Sequence, residues 1–68
     1  MQNNWVNIHT VSQEYEAEII KSILEENDIE CVIVNKKDSA YLIGDLEIFV
    51  DVENAFIAKQ FILDLKSE

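Results

Sequence analysis

No proline interrupts this chain of 68 residues, and glycine, cysteine and tryptophan occur once each. Each scarcity excludes something. Without proline or a glycine-rich stretch no linker divides the chain, and its length fits one domain at most. Cys31 has no second cysteine with which to form a disulfide inside the chain. His9 and Cys31 are the only soft ligands, too few for a zinc cluster, so neither a metal nor a cofactor is expected. No apolar run approaches the ~20 residues that a membrane span needs. Basic residues are also few, 5 against 14 acidic ones, for a net charge of −9. Such a field repels phosphate backbones and anionic headgroups, so neither nucleic acid nor a membrane surface is an expected partner. A lone thiol without a signal peptide fits a cytoplasmic setting.

What remains is apolar periodicity. Trp5 to Thr10 alternate as a strand, with Val6, Ile8 and Thr10 on one side and Trp5, Asn7 and His9 on the other. Ser12 is the expected N-cap of a helix reaching about Asn27, itself the expected left-handed C-cap. The stripe of that helix is Ala17, Ile19, Ile20, Ile23 and Leu24. Ile29 to Val34 form a β-branched strand with Cys31 and Ile33 inward and Val32 and Val34 outward. A polar loop follows, ending at Gly44-Asp45. In the third strand Leu46, Ile48 and Val50 alternate with Glu47 and Phe49. Asp51 is the expected cap of a helix from Val52 to about Lys66. Its inner stripe is Ala55, Ala58, Phe61, Ile62 and Leu65, while Val52, Phe56 and Leu63 form a second stripe near the opposite side.

This order predicts an α+β fold, βαββα, with a three-stranded sheet in the order 1-3-2 and two helices on one face. That is a ferredoxin-like split βαβ unit lacking its last strand, which leaves the edge of strand one open.

The residues in this order are similar to a known family. Trp5-Val6, the helix segment 16–25 from Glu16 to Glu25, the loop 35–41 from Asn35 to Tyr41 and the strand 44–50 from Gly44 to Val50 carry the resemblance, with Ala55 and Ile62-Leu63. The chain resembles small bacterial domains of unknown function named as prokaryotic signal-transducing proteins, whose fold is likened to the P-II (GlnB-like) regulators. The resemblance implies a ferredoxin-like (GlnB-like) fold and a regulatory role. It does not carry over ATP or 2-oxoglutarate binding, because the long mobile loop and the glycine-rich and basic phosphate-holding residues of P-II proteins have no counterpart here.

Few side chains suit chemistry, and no catalytic residue is assigned. Lys36, Lys37, Asp38, Ser39 and Tyr41 form the only mixed cluster. They suit a small anionic ligand or an acidic partner, although the plainer reading is a solvated connection. His9 lacks a nucleophile or carboxylate at telling spacing, and Cys31 in an apolar strand reads as an inert thiol. Glu16 falls inside the first helix's apolar stripe, where the plainer reading is a carboxylate reaching water.

The apolar residues left off the inner faces are the strongest functional signal. Trp5, Val32, Val34 and Phe49 are expected on the uncovered sheet face, and Phe56 and Leu63 on the outer side of the second helix. The expected protein is a non-catalytic regulatory or binding module, a homo-oligomer with a dimer favoured, self-associating through that sheet face. The alternative is a protein–protein adaptor whose free strand-one edge takes a partner's strand. A small apolar ligand is a further possible occupant.

Overall fold

The computed structural model describes residues 4–36 and 45–66. Strand β1 (Trp5–Val11) leads into helix α1 (Glu14–Glu26), followed by β2 (Cys31–Asn35) and β3 (Leu46–Asp51). A single 3-10 turn, Val52–Asn54, then opens helix α2 (Ala55–Lys66). The sheet has the order β1-β3-β2, with β3 antiparallel to both neighbours. This is the expected α+β, βαββα layout.

The alternation of β3 builds the core. Leu46, Ile48 and Val50 are buried, whereas Glu47, Phe49 and Asp51 between them are only partly so. Ala17, Ile20 and Leu24 of α1 and Ala58 and Ile62 of α2 join the same buried cluster. Both helices therefore cover one sheet face and leave the other open. Cys31 pairs with Val50 and Ile33 with Ile48, which turns both inward as expected.

Strand β1 departs from simple alternation. Its register runs Trp5–Asp51, Val6–Val50, Asn7–Phe49, then slips so that His9 meets Ile48, Thr10 meets Glu47 and Val11 meets Leu46. Ile8 is the extra residue of a β-bulge. Opposed residues share a face, so beyond the bulge the parity is reversed. Thr10, expected inward, lies on the open face. His9, expected on the open face with Trp5, lies on the helix-covered one. Burial of Val11 drives the slip: strict alternation would put this valine outside, whereas the bulge places it in the core.

The helix ends are set by local hydrogen bonds. β1 runs on to Val11, so α1 starts late, with Gln13 at its N-cap and no side-chain cap; Ser12 is exposed and outside the helix. At the other end the left-handed residue is Asp28 (φ 62), not Asn27, whose φ is −107. The N–H of Ile29 donates to the Leu24 carbonyl at 2.9 Å and that of Asp28 to Glu25 at 3.1 Å. These two bonds make a Schellman motif, and the buried pair Ile29 and Leu24 supplies its apolar contact. Asp51 caps as expected, its carboxylate accepting from the Glu53 N–H at 2.9 Å. Leu65, expected in the inner stripe of α2, and Ile19, expected in that of α1, are both exposed.

A left-handed conformation costs a residue with a Cβ about 1 kcal/mol, less for aspartate than for most. Asp28→Gly is expected to raise stability by a few tenths to about 1 kcal/mol, and Asp28→Val to lower it by at least about 1 kcal/mol. Urea midpoints at constant slope check both.

Candidate functional site

The open sheet face gathers four of the six expected interface residues. Phe49 lies at its centre, opposite Asn7 on one side and Val32 on the other. Trp5 is diagonal to it, opposite Asp51, and Val34 stands across from Glu47. Trp5, Val34 and Phe49 are partly buried, and Val32 is 43% exposed. Asn7, Thr10, Glu47 and Asp51 share the face, so an apolar band sits among polar and acidic groups.

Phe56 and Leu63 do not belong to this face. Both are on α2, which packs on the opposite side of the sheet, and Leu63 lines a cleft with Ile8, His9, Lys59 and Ile62 beside β1. The six expected interface residues therefore form two surfaces. A strand face and a helix flank cannot be merged by sequence periodicity alone, because their separation depends on which side of the sheet the helices take.

Of the loop cluster, only Lys36 lies among the described residues. Its backbone N–H donates to the Asp45 carbonyl at 2.8 Å, extending the β2–β3 ladder by one pair, and its side chain is exposed. Lys37, Asp38, Ser39 and Tyr41 lie outside the described residues.

The bulge creates a grouping that the sequence did not signal directly. His9, Tyr15 and Glu16 converge on a mainly apolar crevice of about 250 Å³ between the two helices, floored by Val11, Ile20 and Ile62. Glu16 is partly exposed there, at the end of the apolar stripe where its phase placed it. The clue was Val11, an apolar residue at the wrong parity after Val6 and Ile8. No group of three or more His, Cys, Asp or Glu able to hold a metal occurs among the described residues. Nor is any helix among them long and apolar enough to cross a membrane.

Cys31 is 7% exposed. Burial pushes its thiol pKa above the ordinary 9.0, and the nearby Glu25, Glu18 and Glu30 carboxylates push the same way, partly offset by Lys21. A thiol so placed is a poor nucleophile at neutral pH.

Compared with known proteins, the chain matches the family model described as "Putative prokaryotic signal transducing protein" over residues 5–59. No curated protein matches it. No solved structure matches it either.

Cys31 is expected to react with a thiol reagent at neutral pH far more slowly in the folded protein than in urea. The sign of its pH linkage follows from the raised value. Below pH 9.0 the thiol is protonated folded or unfolded, so stability is unaffected; above it the unfolded thiol ionises first and stability falls. The stability advantage of the native protein over Cys31→Ala is therefore expected to shrink from about pH 8 to about pH 10.

Proposed function

The chain belongs to this family named for prokaryotic signal transduction, and from that premise we propose that it is a non-catalytic binding module whose open sheet face holds a protein partner. The observation that carries the reading is the register that centres Phe49 between Asn7 and Val32, with Trp5 and Val34 beside them. A solvated antiparallel face is normally polar, and an aromatic centre with a polar rim is the composition of an interface. The rim here is acidic, through Glu47 and Asp51, in a chain of net charge −9. The partner that fits is an apolar surface bordered by lysine or arginine, met in the cytoplasm.

Area argues against this face serving alone as a stable interface with any protein, a second copy included, and fits a transient partner. Three strands about 4.8 Å apart and about 20 Å long present roughly 300 Å², whereas a stable pair buries at least about 600 Å² on each side. Catalysis finds little support among the described side chains. The thiol is buried, and the His9 crevice holds no nucleophile other than the Tyr15 hydroxyl.

A photoreactive amino acid in place of Val32 tests the reading in living cells. It is expected to trap one defined protein, while the same group in place of Glu26 on α1 traps none. In an otherwise native chain Phe49→Glu is expected to abolish the adduct without lowering the melting temperature by more than a few degrees. Equal labelling from both positions, or none from Val32, would remove the sheet face from consideration.

A further inference from the structure

Both outer strands of the sheet have an open edge among the described residues, and the two edges are flanked differently. Beside β2, helix α1 presents Glu14, Glu18 and Lys21 along an open cleft. A second molecule of the same acidic chain would meet carboxylates there. Beside β1 the charges are of both signs, Glu16 in the crevice with His9 and Val11 and Lys59 in the cleft with Ile8 and His9. Trp5–Val11 contains no charged side chain and no proline, so it lacks the usual devices that keep an edge from pairing, apart from the bulge at Ile8.

The ladder fixes which backbone groups face the open side. The Val52 N–H donates to the Asn4 carbonyl at 2.7 Å, making these two a hydrogen-bonded pair. Antiparallel alternation then turns Val6 toward β3 and points the N–H and C=O of Trp5 and Asn7 outward. Past the bulge, Thr10 faces outward, because its opposite number Glu47 is turned to β2.

Above this edge stands the second stripe of α2. Lys59 and Leu63 share a cleft of about 240 Å³ with Ile8 and His9, which places that flank of the helix over the outer side of β1. Phe56 is two turns earlier on the same flank, and Val52 precedes it. Phe56 is 76% exposed, Leu63 58% and Val52 47%. Neither the core nor the sheet face accounts for them.

We propose that a second copy of the chain closes this edge. The β1 strands of two protomers pair antiparallel about a two-fold axis, and the two α2 stripes meet above the joint, Phe56 of each copy facing Leu63 of the other. A strand of about 23 Å in a sheet about 10 Å deep offers roughly 230 Å². The three exposed side chains add about 300 Å², half of it from the phenylalanine. Each copy thus contributes about 530 Å², approaching the lower bound of about 600 Å² for a stable dimer, which the sheet face by itself does not. Pairing also sets the two open faces side by side in one six-stranded sheet, doubling the platform of roughly 300 Å² per copy to about 600 Å². Only this last consequence rests on the binding reading above.

Sedimentation velocity at micromolar concentration tests the pairing. The protein is expected to be a dimer, and Thr10→Pro, which removes an outward N–H and no ladder bond, a monomer. Leu63→Glu is expected to weaken the dimer by about tenfold or more, and because it is a solvent-facing helix substitution it decides the matter alone if Thr10→Pro fails to fold. Val32→Glu is expected to remain dimeric even where it loses the trapped partner, so failure of the sheet-face reading leaves this one standing. A native protein that stays monomeric at hundreds of micromolar would overturn the proposal. So would a dimer that survives Leu63→Glu, or one lost in Val32→Glu instead.

Discussion

The antiparallel pairing of β3 with a strand on each side is the constraint from which the other placements follow. Its register puts Leu46, Ile48 and Val50 under the helices and Phe49 at the middle of the opposite face. A slip of one residue would exchange the two sets and leave the helices nothing to cover. Because Ile48 and Val50 are fully enclosed, each neighbouring strand must present an apolar residue at the matching level. Cys31 and Ile33 do so from β2 by plain alternation. From β1, Val6 does so for Val50, and the bulge sets His9 opposite Ile48 so that Val11 rather than Thr10 meets Leu46, at the cost of one unpaired residue, Ile8.

The bulge marks where sequence reading succeeds and where it stops. Alternation in β3, the β-branched run of β2 and the stripe of Ala17, Ile20 and Leu24 were legible because each is a local repeat with one dominant period. Strand order was legible because the polar connection and the crossover helix leave few arrangements. The face of His9 was not, since a bulge is chosen by the partner strand and only Val11's parity hinted at it. The cap at Asp28 was misplaced by one residue because asparagine and aspartate both tolerate the left-handed region, and the Ile29–Leu24 contact decides between them. For the site, composition told that apolar residues were in surplus. Periodicity divided Trp5, Val32, Val34 and Phe49 from Phe56 and Leu63, but did not tell which sheet edge the flank of Phe56 and Leu63 overhangs, because that depends on where the second helix crosses the sheet.

Charge and apolar surface divide the molecule in a way that bears on what it can bind. The β2 side carries Glu14, Glu18 and Lys21, whereas strand β1 has no acidic, lysine or arginine side chain and is flanked by one charge of each sign, Glu16 and Lys59. A protein carrying −9 keeps copies of itself apart at long range, so self-association is confined to a surface where short-range burial outweighs repulsion. In the proposed dimer, strand β1 and the stripe on α2 supply such a surface. The open face, by contrast, keeps acidic groups around its aromatic centre, which is why the proposed binding reading assigns it a cationic partner. Salt is expected to act on the two in opposite senses, relieving repulsion between copies while screening attraction to the partner.

The division of these surfaces is open to a direct map. In amide correlation spectra of the labelled protein, recorded from dilute to concentrated solution, the account predicts concentration-dependent shifts at Trp5, Asn7 and Thr10 and along the flank from Phe56 to Leu63. Resonances of Cys31–Asn35 should hold still. Shifts gathered on β2 and around Val32, or no shifts at any concentration, would contradict it.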